Sequence, residues 1–168
     1  MLALLRKPKT VVPEQPPVAA PAIAIHPALP KGSETVLVAE DEATIRAFMA
    51  TILTELGYHV AEAADGAEAL RMAQGLLAGQ IDLLVTDIVM PRMSGKELVY
   101  RMGKLCPETK VVFCSGYPEK LAVHNGMIDP AIPFLQKPVS SAALAYKVRT
   151  ILDAAKADFD LERMLDDG

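Results

Sequence analysis

The chain has 168 residues, 51% of them hydrophobic and 5% aromatic, with a net charge of -4. That length supports one domain with a real core, and the aliphatic bias fits an α/β interior. The negative balance gives no support to nonspecific binding of nucleic acid or of an acidic membrane, and no apolar run approaches membrane-span length. Residues 1–31 hold Pro8, Pro13, Pro16, Pro17, Pro21, Pro27 and Pro30, so residues 1–33 read as a Pro/Ala-rich tail or linker. His26 lies inside it and reads as a solvated tail histidine.

From Glu34 the pattern alternates strand and helix. Thr35 to Ala39 is a strand, and Ala43 to Leu56 carries an apolar stripe at helical spacing, closed by Gly57. Tyr58 to Ala63 is a second strand, and Asp65-Gly66 turns into a helix reaching Leu77. Ile81 to Thr86 is an apolar strand ending at Asp87, followed by a helix from Gly95 to Leu105. Val111 to Cys114 is a strand, with a shorter helix expected over Glu119 to Asn125. Phe134 to Gln136 is the last strand, and Ser140 or Ser141 can cap a final helix through Leu152. Alternating elements with short connections imply a parallel sheet with right-handed crossovers. Residues 34–155 form this domain, and 156–168 read as an acidic tail or a helix extension whose apolar edge is Phe159, Leu161, Met164 and Leu165. Two cysteines, Cys106 and Cys114, do not make a disulfide framework, and Cys114 falls inside a strand. Met1 to Leu5 precedes its positive charges, the reverse of a secretory signal, so the localisation reading is cytoplasmic.

The strand ends carry the chemistry. Ligands of open α/β sheets bind at the carboxyl ends of strands. Glu40 and Asp41 end the first strand, Asp87 the third, Ser115-Gly116 the fourth and Lys137-Pro138 the fifth. Three carboxylates in one crevice repel one another unless a hard divalent cation joins them. An acid pair, a central Asp, a hydroxyl and an ammonium suit phosphoryl transfer.

These residues, in this order and with Met90-Pro91 and Gly95 after Asp87, resemble the receiver domain of two-component response regulators, CheY-like proteins. The resemblance covers about Glu34 to about Asp153. Ser115-Gly116-Tyr117 and Phe134-Leu135-Gln136-Lys137-Pro138 look most like receivers of hybrid sensor histidine kinases. It implies a doubly wound, five-stranded parallel sheet of order 2-1-3-4-5 with helices on both faces. It also implies that Asp87 is the phosphoacceptor and that Mg²⁺, or Mn²⁺ in its place, is held by Glu40, Asp41, Asp87 and the Val89 backbone carbonyl. Ser115 and Lys137 bind the phosphoryl group, Ser115 and Phe134 form the switch, and Phe134 turns inward on phosphorylation. Met90, Gly116 and Tyr117 rim the pocket, and the bond before Pro138 is cis. The partners implied are a sensor histidine kinase or histidine phosphotransfer protein, and a downstream protein on the face of the fourth helix, fifth strand and fifth helix. No nucleic acid or membrane is expected.

Two other classes fit less well. A phosphatase built on an Asp nucleophile is expected to carry a second Asp two residues later, where Val89 stands. A nucleotide-binding module needs a Gly-rich loop after the first strand, where Glu40-Asp41-Glu42 stands.

Overall fold

The computed structural model describes residues 28–125 and 129–155. The tail expected over 1–33 lies mostly, and the extension over 156–168 wholly, outside these residues, as do His26 and the apolar edge from Phe159 to Leu165. Among the described residues no helix is long and apolar enough to cross a membrane.

The elements in chain order are β1 (Thr35–Ala39), α1 (Ala43–Glu55), β2 (His59–Ala63), α2 (Gly66–Gln74), β3 (Leu83–Asp87), α3 (Gly95–Leu105), β4 (Lys110–Ser115), α4 (Glu119–His124), β5 (Phe134–Gln136) and α5 (Ser141–Asp153). The five strands form one parallel sheet of order β2-β1-β3-β4-β5. Period-two alternation sends each strand's side chains to two separate cores. Leu37, Leu84, Val111, Phe113 and Phe134 pack with α2, α3 and Ala122 of α4. Val36, Val38, Leu83, Val85, Val112, Cys114 and Leu135 pack with α1 and α5 on the other face. Each face is thus apolar along the strands, which is why β1, β3 and β4 read as continuous hydrophobic runs.

The helix starts follow capping chemistry. Asp65 Oδ1, Ser94 Oγ and Ser140 Oγ each accept the backbone N–H three residues on, from Glu68, Glu97 and Ala143. Gly57 follows α1 with φ +98°, a conformation in which a β-carbon is strained. Two boundaries differ from the sequence expectation by more than one residue. The third strand starts at Leu83 instead of Ile81, because the Asp82 carboxylate takes the Thr35 N–H at 2.7 Å. The second helix ends at Gln74 instead of Leu77. A turn closed by the Leu77 N–H onto the Met72 carbonyl keeps Leu77 against the core without helix.

Candidate functional site

The strand order reverses between β1 and β3, so the crevice opens beyond their carboxyl ends. β1 delivers Glu40 and Asp41 there, and β3 delivers Asp87. One carboxylate oxygen from each of the three lies within 4.8 Å of the others. Glu40 is fully buried, Asp87 half-buried and Asp41 exposed. β5 brings Lys137 over the same group. Its Nζ lies 2.5 Å from Asp87 Oδ2 and 2.7 Å from Glu40 Oε2. The other Asp87 oxygen accepts the Val89 N–H at 3.1 Å.

Three carboxylates against one ammonium leave two negative charges uncompensated at this edge. Arg46 is nearby, but its guanidinium donates to the Glu40 backbone carbonyl at 2.6 Å and faces Glu62. Burial pushes the Glu40 carboxyl above the usual carboxylate range, and the Asp87 charge adds to it, despite the lysine. Burial pushes the Lys137 ammonium down, but the hydrogen bond to Asp87 and the attraction of both carboxylates outweigh it and hold its pKa above the ordinary lysine value. Glu40 Oε2 sits close to Lys137 Nζ but out of line, and has no hydrogen-bond partner among the described residues. A buried carboxylate oxygen without an aligned donor, beside two more carboxylates, fits a hard divalent cation.

Asp87 is also the member of the three that lines a cleft. With Val89, Ser115, Gly116 and Tyr117 it lines an open cleft of about 210 Å³. Ser115 is buried, and its Oγ accepts the Tyr117 N–H at 3.2 Å. Val89 and Tyr117 are exposed at the cleft. A β-carbon on Gly116 would meet nothing within 4 Å, so this glycine leaves space over the cleft and not a backbone contact. Gly95 is the opposite case. Its absent β-carbon would lie 2.0 Å from the Asp87 carbonyl oxygen, so α3 can start against the end of β3 only with glycine there. The Gly95 N–H closes the turn onto the Ile88 carbonyl at 2.9 Å. The Lys137–Pro138 bond is cis.

One expected position differs. Met90 was placed on the pocket rim, but it is 8% exposed and belongs to the core beside Met93 and Ile88. The strand-to-helix turn folds its side chain back beneath the sheet edge. Phe134, the expected switch ring, is buried, 5% exposed, in the core that contains Phe113 and Ala122. Beneath the site, Cys114 is fully buried. Desolvation pushes its thiol up to about 12, which keeps it protonated and unreactive.

Residues 36–149 match the family described as the response regulator receiver domain. The chain belongs to that family. Acceptance of a phosphoryl group at an aspartate cluster comes with the membership. The receiver is 41% identical over 122 residues to the sensor kinase CckA of Brucella abortus, covering 73% of this chain but 13% of that kinase. It is 32% identical to the response regulator receiver protein CpdR of the same organism, covering 71% of this chain and 98% of CpdR. A crystal structure of the receiver domain from the hybrid histidine kinase CckA superposes with a TM-score of 0.61 at 36% identity, over 71% of this chain and 99% of that one. This likeness supports a histidine-kinase-type partner for the receiver.

Sequence reasoning missed two residues near the site. Asp65 is 3% exposed at the start of α2, and Arg92, in the turn after Asp87, pairs with its carboxylate. Asp65 was legible as the start of a helix. Its partner is 27 residues away in sequence and no local pattern links them.

Proposed function

We propose that the chain takes a phosphoryl group from a phosphohistidine onto the carboxylate of Asp87. The supporting observation is the placement of Asp87, joined to Glu40, Asp41 and Lys137 on one side and open to the cleft on the other. An Asp87 oxygen attacks phosphorus, the P–N bond to the histidine breaks, and the imidazole keeps the electron pair and takes up a proton. Lys137 neutralises a transferring oxygen, and Ser115 donates its hydroxyl to another. Asp41, Asp87 and the Val89 carbonyl would hold Mg²⁺ or Mn²⁺, with Glu40 acting directly or through water. When bound, such an ion supplies positive charge to the phosphoryl oxygens. Val89 offers no polar group to orient an attacking water and Tyr117 stands beside it, which supports slow hydrolysis of the acyl phosphate.

The donor in this reading is a sensor histidine kinase or a histidine phosphotransfer protein, in the cytoplasm. The downstream contact is the α4, β5 and α5 face, where Leu121 and Tyr146 are exposed. A second reading makes the chain the receiver module of a hybrid kinase, serving as relay intermediate or phosphate sink. The similarity to 13% of CckA favours it, while the full-length match to CpdR favours a free-standing regulator.

The test is mass spectrometry after incubation with Mg²⁺ and either a small acyl phosphate or a phosphohistidine donor. Wild type should gain about 80 Da, the mass of a phosphoryl group whose charge is the perturbation. Asp87→Asn should gain nothing and stay folded. A wild-type protein left unmodified by several active donors would instead be a scaffold.

A further inference from the structure

The turn between β3 and α3, residues 88–94, is strapped to a neighbouring helix by contacts that a receiver site does not by itself require. Arg92 stands in its middle with φ +67°, a region that a residue with a β-carbon adopts only when its surroundings hold it there. Its guanidinium pairs with Asp65 Oδ2, while Asp65 Oδ1 accepts the Glu68 N–H at 2.8 Å and caps α2. The Arg92 side chain is two-thirds exposed and the Asp65 side chain 4% exposed, so the buried carboxylate draws a surface cation down onto it. A second contact lies beside the first. A β-carbon on Gly66, the first residue of α2, would come within 2.7 Å of the Met93 carbonyl oxygen. Helix and turn therefore touch backbone to backbone at Gly66 and by charge at Asp65. Three residues before Arg92 is Val89, whose N–H holds Asp87 Oδ1 and whose carbonyl is the proposed metal ligand.

We propose that Arg92 is a positioning residue for the metal and phosphoryl site. Through Asp65 it holds the 88–94 turn so that the Val89 peptide presents its N–H to Asp87 and its carbonyl to the cation. This rests on the metal reading above. Partners beyond the direct ligands commonly set metal affinity by fixing how those ligands point.

The experiment measures Mg²⁺ affinity by calorimetry, and amide hydrogen exchange at Val89 and Gly95 in metal-free protein. The proteins are wild type, Arg92→Gly, Arg92→Lys, Asp65→Asn and the Arg92→Gly/Asp65→Asn double variant. Glycine at 92 relieves the left-handed backbone, and asparagine at 65 still caps α2, so folding is preserved in both. Arg92→Gly and Asp65→Asn should each weaken Mg²⁺ by about tenfold, and the double variant should lose no more than either. Arg92→Lys, which keeps the charge, should recover most of the affinity. Exchange at Val89 and Gly95 should quicken in the glycine variant. Unchanged Mg²⁺ affinity in both single variants, even with faster exchange, would reduce the pair to a structural tie and overturn the proposal. A wild type that binds no Mg²⁺ would overturn the metal reading. The exchange rates would then decide the strap alone, with unchanged rates refuting it.

Discussion

At the carboxyl edge of the sheet Lys137 stands between Asp87 and Glu40, and at the opposite edge Arg149 stands between Glu34 and Asp153. Both are single cations bridged by two carboxylates, yet they are in different condition. Arg149 closes its account of donors. It gives Nη2 to Glu34 Oε1 at 2.7 Å, Nε to Asp153 at 2.9 Å and Nη1 to Glu34 Oε2 at 3.2 Å. Its hydrogen bond holds the Glu34 carboxyl down at about 2, and Lys110 nearby caps the end of α5 through the Leu152 and Ala154 carbonyls. At the carboxyl edge a third acid, Asp41, joins the pair, Glu40 Oε2 lacks an aligned donor, and burial works against ionisation. A cation between two carboxylates makes a finished structural tie at one pole. At the other it makes an incomplete one, able to take a cation and a phosphoryl group. Surplus charge and an unsatisfied oxygen, more than the identity of the residues, separate a site from a strut.

The contrast can be broken by mutation. The largest effect is expected at Gly95. Gly95→Ala puts a methyl group onto the Asp87 carbonyl, and urea unfolding should show a loss of about 3 kcal/mol, since a backbone atom cannot move aside. A variant as stable as wild type would show that the β3–α3 turn relaxes freely. Next is Arg149→Met, which should lower stability by about 2 kcal/mol while leaving Mg²⁺ affinity unchanged. An altered affinity would mean that the two poles communicate. Asp41→Asn should do the reverse. Calorimetry should show Mg²⁺ weakened by about tenfold, worth about 1.4 kcal/mol of binding, with stability unchanged or slightly raised by the relief of repulsion. Equal affinities would remove Asp41 from the ligand set. The smallest effect concerns pH. Glu34 is depressed from 4.5 to about 2 in the folded protein, so its contribution is complete above the unfolded value and fades as pH falls from about 5 to about 2. Solvent screening at this partly exposed pair limits it to about 1 kcal/mol. Unfolding midpoints at a series of acid pH values should fall less steeply for Glu34→Gln than for wild type, and parallel curves would assign the acid loss elsewhere.

Much of the fold was legible because its signals are local. The run Val36-Leu37-Val38-Ala39 and the stripe through Met49 and Leu53 are read within one element, and both are buried as expected. Strand ends were legible in the same way, so Glu40, Asp41, Asp87, Ser115 and Lys137 could be placed at one edge before their distances were known. What stayed hidden depends on distant parts of the chain. Glu34 and Arg149 are 115 residues apart, and Asp65 and Arg92 are 27 apart. Neither pair has a spacing that marks it, because tertiary approach alone brings them together. Met90 was misplaced for a related reason. Its neighbours Asp87 and Val89 face the cleft, but the turn rotates the chain between them and the core, and a period of two does not extend through a turn. Phe134 illustrates a limit of another kind. A sequence shows that an aromatic ring stands on a strand, not which of its rotamers the core has accepted.

The Arg149 tie also bears on how this domain could be used as a part. Its guanidinium reaches the Lys31 carbonyl at 3.5 Å and the Asp153 carboxylate at 2.8 Å. The two ends of the described fold are thus gathered at one place, on the pole away from Asp87. A host loop cut open at a single point could accept residues 31–153 as a cassette without spreading its own ends far apart. The cleft would face outward from such a graft, clear of the host.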